Sequence, residues 1–453
     1  MRKFRLFTLV MCIVAITLLG VGVTAAQSPT QITFWHGMTG TNGQVVTKLV
    51  SDFNASHPDV QVTEQNKGSS YNDVLNNTIS AMGQGQGPNI VQIFDLGTPI
   101  AIDSGFFTPV QNVLPADQFA QLKSDIMPPL ISYFTVNDTL WSLPWNNSTP
   151  LFYYNKDMFK AAGLDPDKPP ATWQELEDDC AKIQAANAAP YCITAEVYGW
   201  FFEQWMALQG QELANNGNGR SGRATETNFT SDASKAIFNF WKDLNDKGYY
   251  TYTGKLEDGN GSGQIFTSQQ AAMILDSTGS LTKYANAAQQ GGFTLGTGFF
   301  PTNGDVERQG VIIGGASLWV SAANTDAQNK AAVEFLTWLE APEQMAEWHK
   351  GTGYMPITKG SQDLLASQGY FDQNPNAKTA VDQLADAKQS PATAGAVMGP
   401  FPQIRTLVDQ AIQNVLNGAD VDSTLSDLKT QADAALADYN SRLSATPEAT
   451  AAS

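Results

Sequence analysis

Histidine and cysteine are scarce in this chain, at three of each, and no Cys/His cluster stands at ligand spacing. A zinc site is therefore left without its usual donors. The chain also lacks a G-x-S-x-G elbow and a Walker-type loop, which removes two common routes to catalysis. The glycine runs near Gly83 and Gly259 are too irregular to cradle phosphate and read as a helix end and a loop. Basic residues are few, with 26 Lys+Arg against 44 Asp+Glu and a formal net charge of −18. Nucleic acid needs a basic face, so that partner class is excluded. A small anion is not, because a local site can be positive on an acidic protein. After the first residues no stretch is apolar enough to span a bilayer.

What is present begins with Arg2, Lys3 and Arg5, an apolar run at 6–23, and small residues at Val23-Thr24-Ala25. This is the layout of a secretory signal peptide over residues 1–26. The mature protein is expected to be exported, to a periplasm or the outer face of the cytoplasmic membrane. Cys180 and Cys192 survive cleavage, and an oxidising compartment permits a structural disulfide between them. With 453 residues and 42% hydrophobic content, the chain has the bulk for roughly two to three domain-sized units. Its small, polar end at 444–453 is expected to be disordered.

Strand and helix patterns alternate from Gln31 onward. Strands are expected at 32–35, 60–63 and 89–94, and Val45, Val46, Leu49, Val50 and Phe53 recur between them at helical spacing. Such alternation predicts a parallel sheet with right-handed crossovers. Ligands on such sheets bind beyond the carboxyl ends of the strands, here at 35–37, 67–71 and 95–97. A second α/β pattern follows. Thr172 and Glu175 make a capping box, and a helix at 231–247 turns Ile237, Phe238, Trp241 and Leu244 to one face. Strands are expected at 273–275, 293–300 and 311–320, the last interrupted by Gly314-Gly315. Helices at 331–339, from Pro342 to the break at Gly351 and Gly353, at 404–416 and at 425–443 complete the pattern.

Between the two patterns lies LPWNNSTPLFYYNKD at 143–157. Aromatic bodies (Trp145, Phe152, Tyr153, Tyr154) surround a small polar step bracketed by Pro144 and Pro150, the composition of a small-molecule pocket wall. The step 146–149 is expected to face ligand, 143–145 to cross between lobes, and 152–154 to be core strand.

Several segments together resemble the extracellular solute-binding proteins (family 1) of ABC importers, and within them the binders of sn-glycerol 3-phosphate. They are FWHGMTG at 34–40, NKGSSY at 66–71, GPNIVQIFDLG at 87–97, LPWNNSTPLFYYNKDMFKAAGLDP at 143–166, IIGGASLWV at 312–320, EWHKGTGYMPIT at 347–358 and GPFPQIR at 399–405. The resemblance implies an α/β, two-lobed periplasmic-binding-protein-like fold of type II. Its lobes would comprise 27–144 with 294–352, and 145–293 with 353–443. Hinge crossings are expected near 143–146, 291–296 and 351–354. Carried over by motif, the ligand contacts are Tyr71, Asp95, Ser148, Trp200, Ser277, Gly315, Tyr354 and Arg405. Arg405 offers a planar fork matched to phosphate, the hydroxyls add neutral donors, and Gly315 admits close backbone approach.

Two departures from the family's pattern are informative. Asp95 stands where glutamate is usual. Val197 stands where a first tryptophan would align, three positions before Trp200, and its smaller side chain is expected to enlarge the cleft. The implied protein is not an enzyme and takes no cofactor or metal. It acts as a monomer, captures glycerol 3-phosphate or a glycerophosphodiester such as glycerophosphocholine, and delivers it to permease subunits. The alternatives are an oligosaccharide-binding protein and an exported glycosidase or phosphodiesterase, since the plentiful carboxylates permit paired-carboxylate chemistry.

Overall fold

In a computed structural model, residues 28–445 are described. The expected signal peptide at 1–26 lies outside them, as does 446–453 of the expected tail. Ser444 and Ala445 do not open a tail but close the helix Val421–Ala445.

Two sheets flanked by helices make two lobes. The first carries, in spatial order, Val60–Asn66, Thr30–His36, Ile90–Phe94, Gly314–Ser321 and Phe107–Thr108, with Leu143–Ser148 also paired to Gly314–Ser321. The second runs Tyr250–Thr251, Tyr191–Thr194, Ala271–Ser277, Pro150–Asn155, Leu295–Gly298. Each sheet starts parallel, as the alternating pattern predicts. Each then turns antiparallel where the chain enters from or returns to the other lobe. The sheets are therefore mixed rather than all-parallel, a common outcome for large α/β sheets.

Local chemistry explains the elements nearest the cleft. In Thr30–His36, Ile32 and Phe34 point into the core and alternate with Gln31 and Thr33. The helix Tyr71–Gly83 starts at a capping box between Ser70 and Asp73, which satisfies two orphan amides and fixes Tyr71 in the first turn. Thr172 and Glu175 do the same for Trp173–Ala185. Cys180 on that helix is disulfide-bonded to Cys192 on Tyr191–Thr194, with Cα atoms 5.2 Å apart.

The hinge lies elsewhere than the motifs imply. Leu143–Ser148 pairs wholly within the first sheet, so Trp145 belongs to the first lobe, stacked on Trp348 at 4.6 Å. The crossing falls at Thr149, because Pro150–Asn155 already pairs with Ala271–Ser277. Leu295–Gly298 pairs with Pro150–Asn155 in the second sheet, so the return comes after Gly298 and not at 291–296. The last strand begins at Gly314 rather than being interrupted there, leaving Val311–Ile313 outside it. After Gly353, whose positive φ of +94° ends the helix Pro342–Thr352, the chain remains beside the first lobe. The Met127 amide donates to the Ile357 carbonyl and Lys359–Ser367 packs on Pro342–Thr352. Only with Pro375–Ala385, packed on Leu295–Gly298, does it rejoin the second.

Candidate ligand-binding cleft

Between the lobes lies a cavity of about 330 Å³, within the range of small-molecule sites. Three of its walls are the starts of helices. Thr39 and Asn42 come from the first turn of Gly40–Ser56, Ser70 to Asn72 from Tyr71–Gly83, and Pro402 and Arg405 from Phe401–Leu416. Gly37 and Leu96 follow the carboxyl ends of their strands, where the sheet pattern places ligands. Helix starts present free amides and a fractional positive charge, a setting that favours anions.

Tyr71 and Tyr354 both line the cavity, with hydroxyls 3.2 Å apart. A buried relay holds them. The Gly37 amide donates to Gln92 (2.8 Å), Gln92 Nε2 to Asn146 Oδ1 (2.8 Å), and Asn146 Nδ2 to the Tyr71 hydroxyl (2.9 Å). Behind, Tyr71 stacks on Phe94 at 5.5 Å, and Tyr354 on Trp348 at 5.5 Å. Ring orientation is thereby set by both packing and hydrogen bonding.

Arg405 is buried at the second-lobe wall, 4% exposed. Its Nε donates to Glu203 Oε1 at 2.7 Å and its Nη2 to Glu203 Oε2 at 2.5 Å. Nη1 donates to the Tyr198 hydroxyl at 2.8 Å. The guanidinium also sits over the Tyr198 and Phe401 rings, at 5.0 and 5.6 Å. Burial opposes its charge, yet Glu203 and its other neighbours hold its pKa well above the usual value. Burial pushes the Glu203 carboxyl up while Arg405 pulls it down; the two-point contact favours the ionised pair.

Other carboxylates crowd this end. Glu196 and Glu257 line the cavity. Burial, then Asp276 and Glu257, push Glu196 up to about 8. Asp95, 4% exposed, lies just behind Leu96 and is pushed up to about 7 by burial, against the pull of Arg405. Among the described lining residues Arg405 is the only cation. Among the described residues no group of three or more His, Cys, Asp or Glu could hold a metal ion, and no helix is long and apolar enough to cross a membrane.

The family model for bacterial extracellular solute-binding proteins matches residues 48–379. The sn-glycerol-3-phosphate-binding periplasmic protein UgpB of Yersinia pseudotuberculosis is 37% identical over 399 residues, 87% of this chain and 89% of that one. UgpB of Escherichia coli K12 gives the same identity and coverage. This chain belongs to the bacterial extracellular solute-binding proteins. Solved family structures overlay it across the whole fold. The cyclic alpha-maltosyl-1,6-maltose binding protein from Arthrobacter globiformis does so with a TM-score of 0.73 at 25% identity, covering 90% of this chain and 100% of that one. UgpB from Mycobacterium tuberculosis, solved with glycerophosphocholine, gives 0.73 at 24% identity, covering 91% and 99%.

Of the residues carried over by motif, Tyr71, Tyr354 and Arg405 share the cavity. The other five are not among its lining residues. Asp95 accepts a bond from the Leu96 amide. Ser148 and Gly315 are paired in strand, Ser148 opposite Gly314 and Gly315 opposite Asn147. Ser277 caps the turn Thr278–Ser280 by accepting from the Gly279 amide. Trp200 is buried against Gly314, where any Cβ would strike its indole. Val197 is wholly buried and so does not widen the cleft; its neighbours Glu196 and Tyr198 line it instead. Motif transfer missed Glu196, Tyr198, Glu203 and Glu257. The alternation of inward Ala195 and Val197 with outward Glu196 and Tyr198 is a period-two signal that identifies the first two.

Proposed function

We propose that this protein is the extracytoplasmic solute-binding component of an ABC importer, capturing sn-glycerol 3-phosphate and glycerophosphodiesters and passing them to permease subunits. The observation that carries this is Arg405. Among the described residues it is the sole cation lining a cavity walled by three helix starts and two tyrosine hydroxyls, in a chain 37% identical to glycerol-3-phosphate binders over most of its length. In this reading the remaining Arg405 N–H groups and the helix-start amides take phosphate oxygens. The tyrosine hydroxyls and the carboxylates of the second lobe take the polyol. The protein works as a monomer and releases its ligand unchanged.

A thermal-shift panel of glycerol 3-phosphate, glycerophosphocholine, maltose and inorganic phosphate tests it. The first two should raise Tm; a shift with maltose alone would favour the second reading, an oligosaccharide binder. That alternative draws on the carboxylates and Tyr198 at the cavity wall, a setting suited to sugar hydroxyls. Replacing Arg405 and Glu203 together by alanine separates the two without stranding a buried charge. Phosphorylated ligands should lose binding, and a neutral sugar should keep it. Incubation with glycerophosphocholine should release no product.

A further inference from the structure

Resting on the proposed function, the geometry bears on which phosphate esters the cleft admits. An arginine has five N–H donors. Glu203 takes two of those on Arg405 through both its oxygens, and Tyr198 takes a third. Two remain for a ligand. The pair Arg405 and Glu203 is buried, each 4% exposed, so their charges cancel locally with little help from water. The other acidic groups among the described lining residues are Glu257 and Glu196, the latter largely protonated near neutral pH because burial pushes it up to about 8, and neither offers a positive charge. Positive potential there comes from the helix starts, each worth about half a positive charge and fading within a turn, and from Lys283, which is not a lining residue but pulls Glu196 down. This wall suits one negative charge on the ligand better than two.

We infer that Glu203 is a specificity-determining positioning residue, which by occupying the Arg405 fork tunes the cleft to singly charged phosphodiesters over doubly charged phosphomonoesters. Glu203 does not touch the cavity itself, and it acts through the guanidinium. A phosphomonoester near neutral pH carries up to two charges, and the second finds no unspent cation among the described lining residues. A phosphodiester carries one. A cationic group on its far arm would add attraction to Glu257, a separate effect that an uncharged arm does not share.

Titration calorimetry with three probes tests this: glycerol 3-phosphate, glycerophosphocholine, and glycerophosphoglycerol, whose second arm carries no charge. In the wild-type protein both diesters should bind tighter than the monoester, by about tenfold or more. Glu203→Gln releases the fork and should shift the monoester-to-diester ratio about tenfold toward the monoester. Glu203→Asp, which keeps the charge, should hold the ratio nearer to wild type. A Gln variant that weakens all probes equally marks Glu203 as merely structural and overturns the inference. So does a wild-type protein preferring the monoester, or one in which glycerophosphoglycerol binds no better than glycerol 3-phosphate. These wild-type rankings stand even if the variant fails to fold. Binding of none of the three overturns the transport reading instead, and this inference with it.

Discussion

Asp103 and Arg223 join the two lobes away from the cavity lining. The carboxylate of Asp103, at the end of the first-lobe helix Thr98–Ser104, accepts from Arg223 Nη1 at 3.0 Å and Nη2 at 2.8 Å. It accepts also from the Tyr439 hydroxyl at 2.9 Å, on the second-lobe helix Val421–Ala445. Nearby, Arg220 donates to the carbonyls of Ser132 in the first lobe and Gly395 in the second. Neither contact involves the cavity lining, so both favour a closed molecule whatever the ligand. Asp103→Asn should weaken every ligand by the same factor, about three- to fivefold, the worth of a partly exposed ion pair. The radius of gyration of the ligand-free protein by small-angle scattering should rise with it. A ligand-selective effect at unchanged radius would contradict the assignment.

Asp95 makes stability depend on pH. Its folded pKa, about 7, lies above the ordinary 3.8 because burial penalises the carboxylate. The folded state therefore binds more protons than the unfolded chain between those values. This contribution is present below about pH 4 and is lost as pH rises through 7. Asn imitates the protonated carboxyl, so Asp95→Asn should stabilise the ligand-free protein at pH 8.5 by about 2–4 kcal/mol. At pH 5 the gain should be markedly smaller. Denaturant melts at both values measure it, and an equal effect at both would show that Asp95 ionises normally.

The Cys180–Cys192 bridge closes a short loop, with the two residues 12 apart in sequence. On the chain-entropy account, losing it costs about 3 kcal/mol. Replacing both cysteines by alanine should lower the urea midpoint accordingly and leave ligand affinity within about twofold, because neither lines the cavity. A large loss of affinity would tie the bridge to the site.

Gly315→Ala should be among the most damaging single substitutions. The backbone there has φ +92°, and an added Cβ would meet the Asn146 carbonyl oxygen at 2.1 Å. Backbone strain and the clash together should cost about 3 kcal/mol or more. A folded variant of wild-type Tm would show that the strands Leu143–Ser148 and Gly314–Ser321 can separate there.

Most regular elements were legible because their signals are local. A buried apolar run at 32–35 marks Thr30–His36, and Thr172 with Glu175 three residues on marks the start of the helix Trp173–Ala185. The hinge was not legible. Trp145 and the asparagines after it have pocket-wall composition, but their strand partner lies beyond residue 313, and nothing nearby announces it. Glu203 was hidden for the same reason, being 202 residues from Arg405. Motifs carried Tyr71, Tyr354 and Arg405 to one cavity, yet could not separate residues facing it from those supporting the wall.

Thr149 sits between two strands, one in each sheet, with no loop to either side. Its carbonyl accepts from the Thr278 amide at 2.9 Å and its amide donates to Thr278 Oγ1 at 3.2 Å, while the Met355 amide binds the Asn147 carbonyl at 2.8 Å. A joint splinted in this way resists sliding and torsion and leaves bending as its soft direction. Closure of the lobes on a solute is then channelled into bending at Thr149. Under the proposed function, a permease subunit reads occupancy from that bend without touching the solute at all.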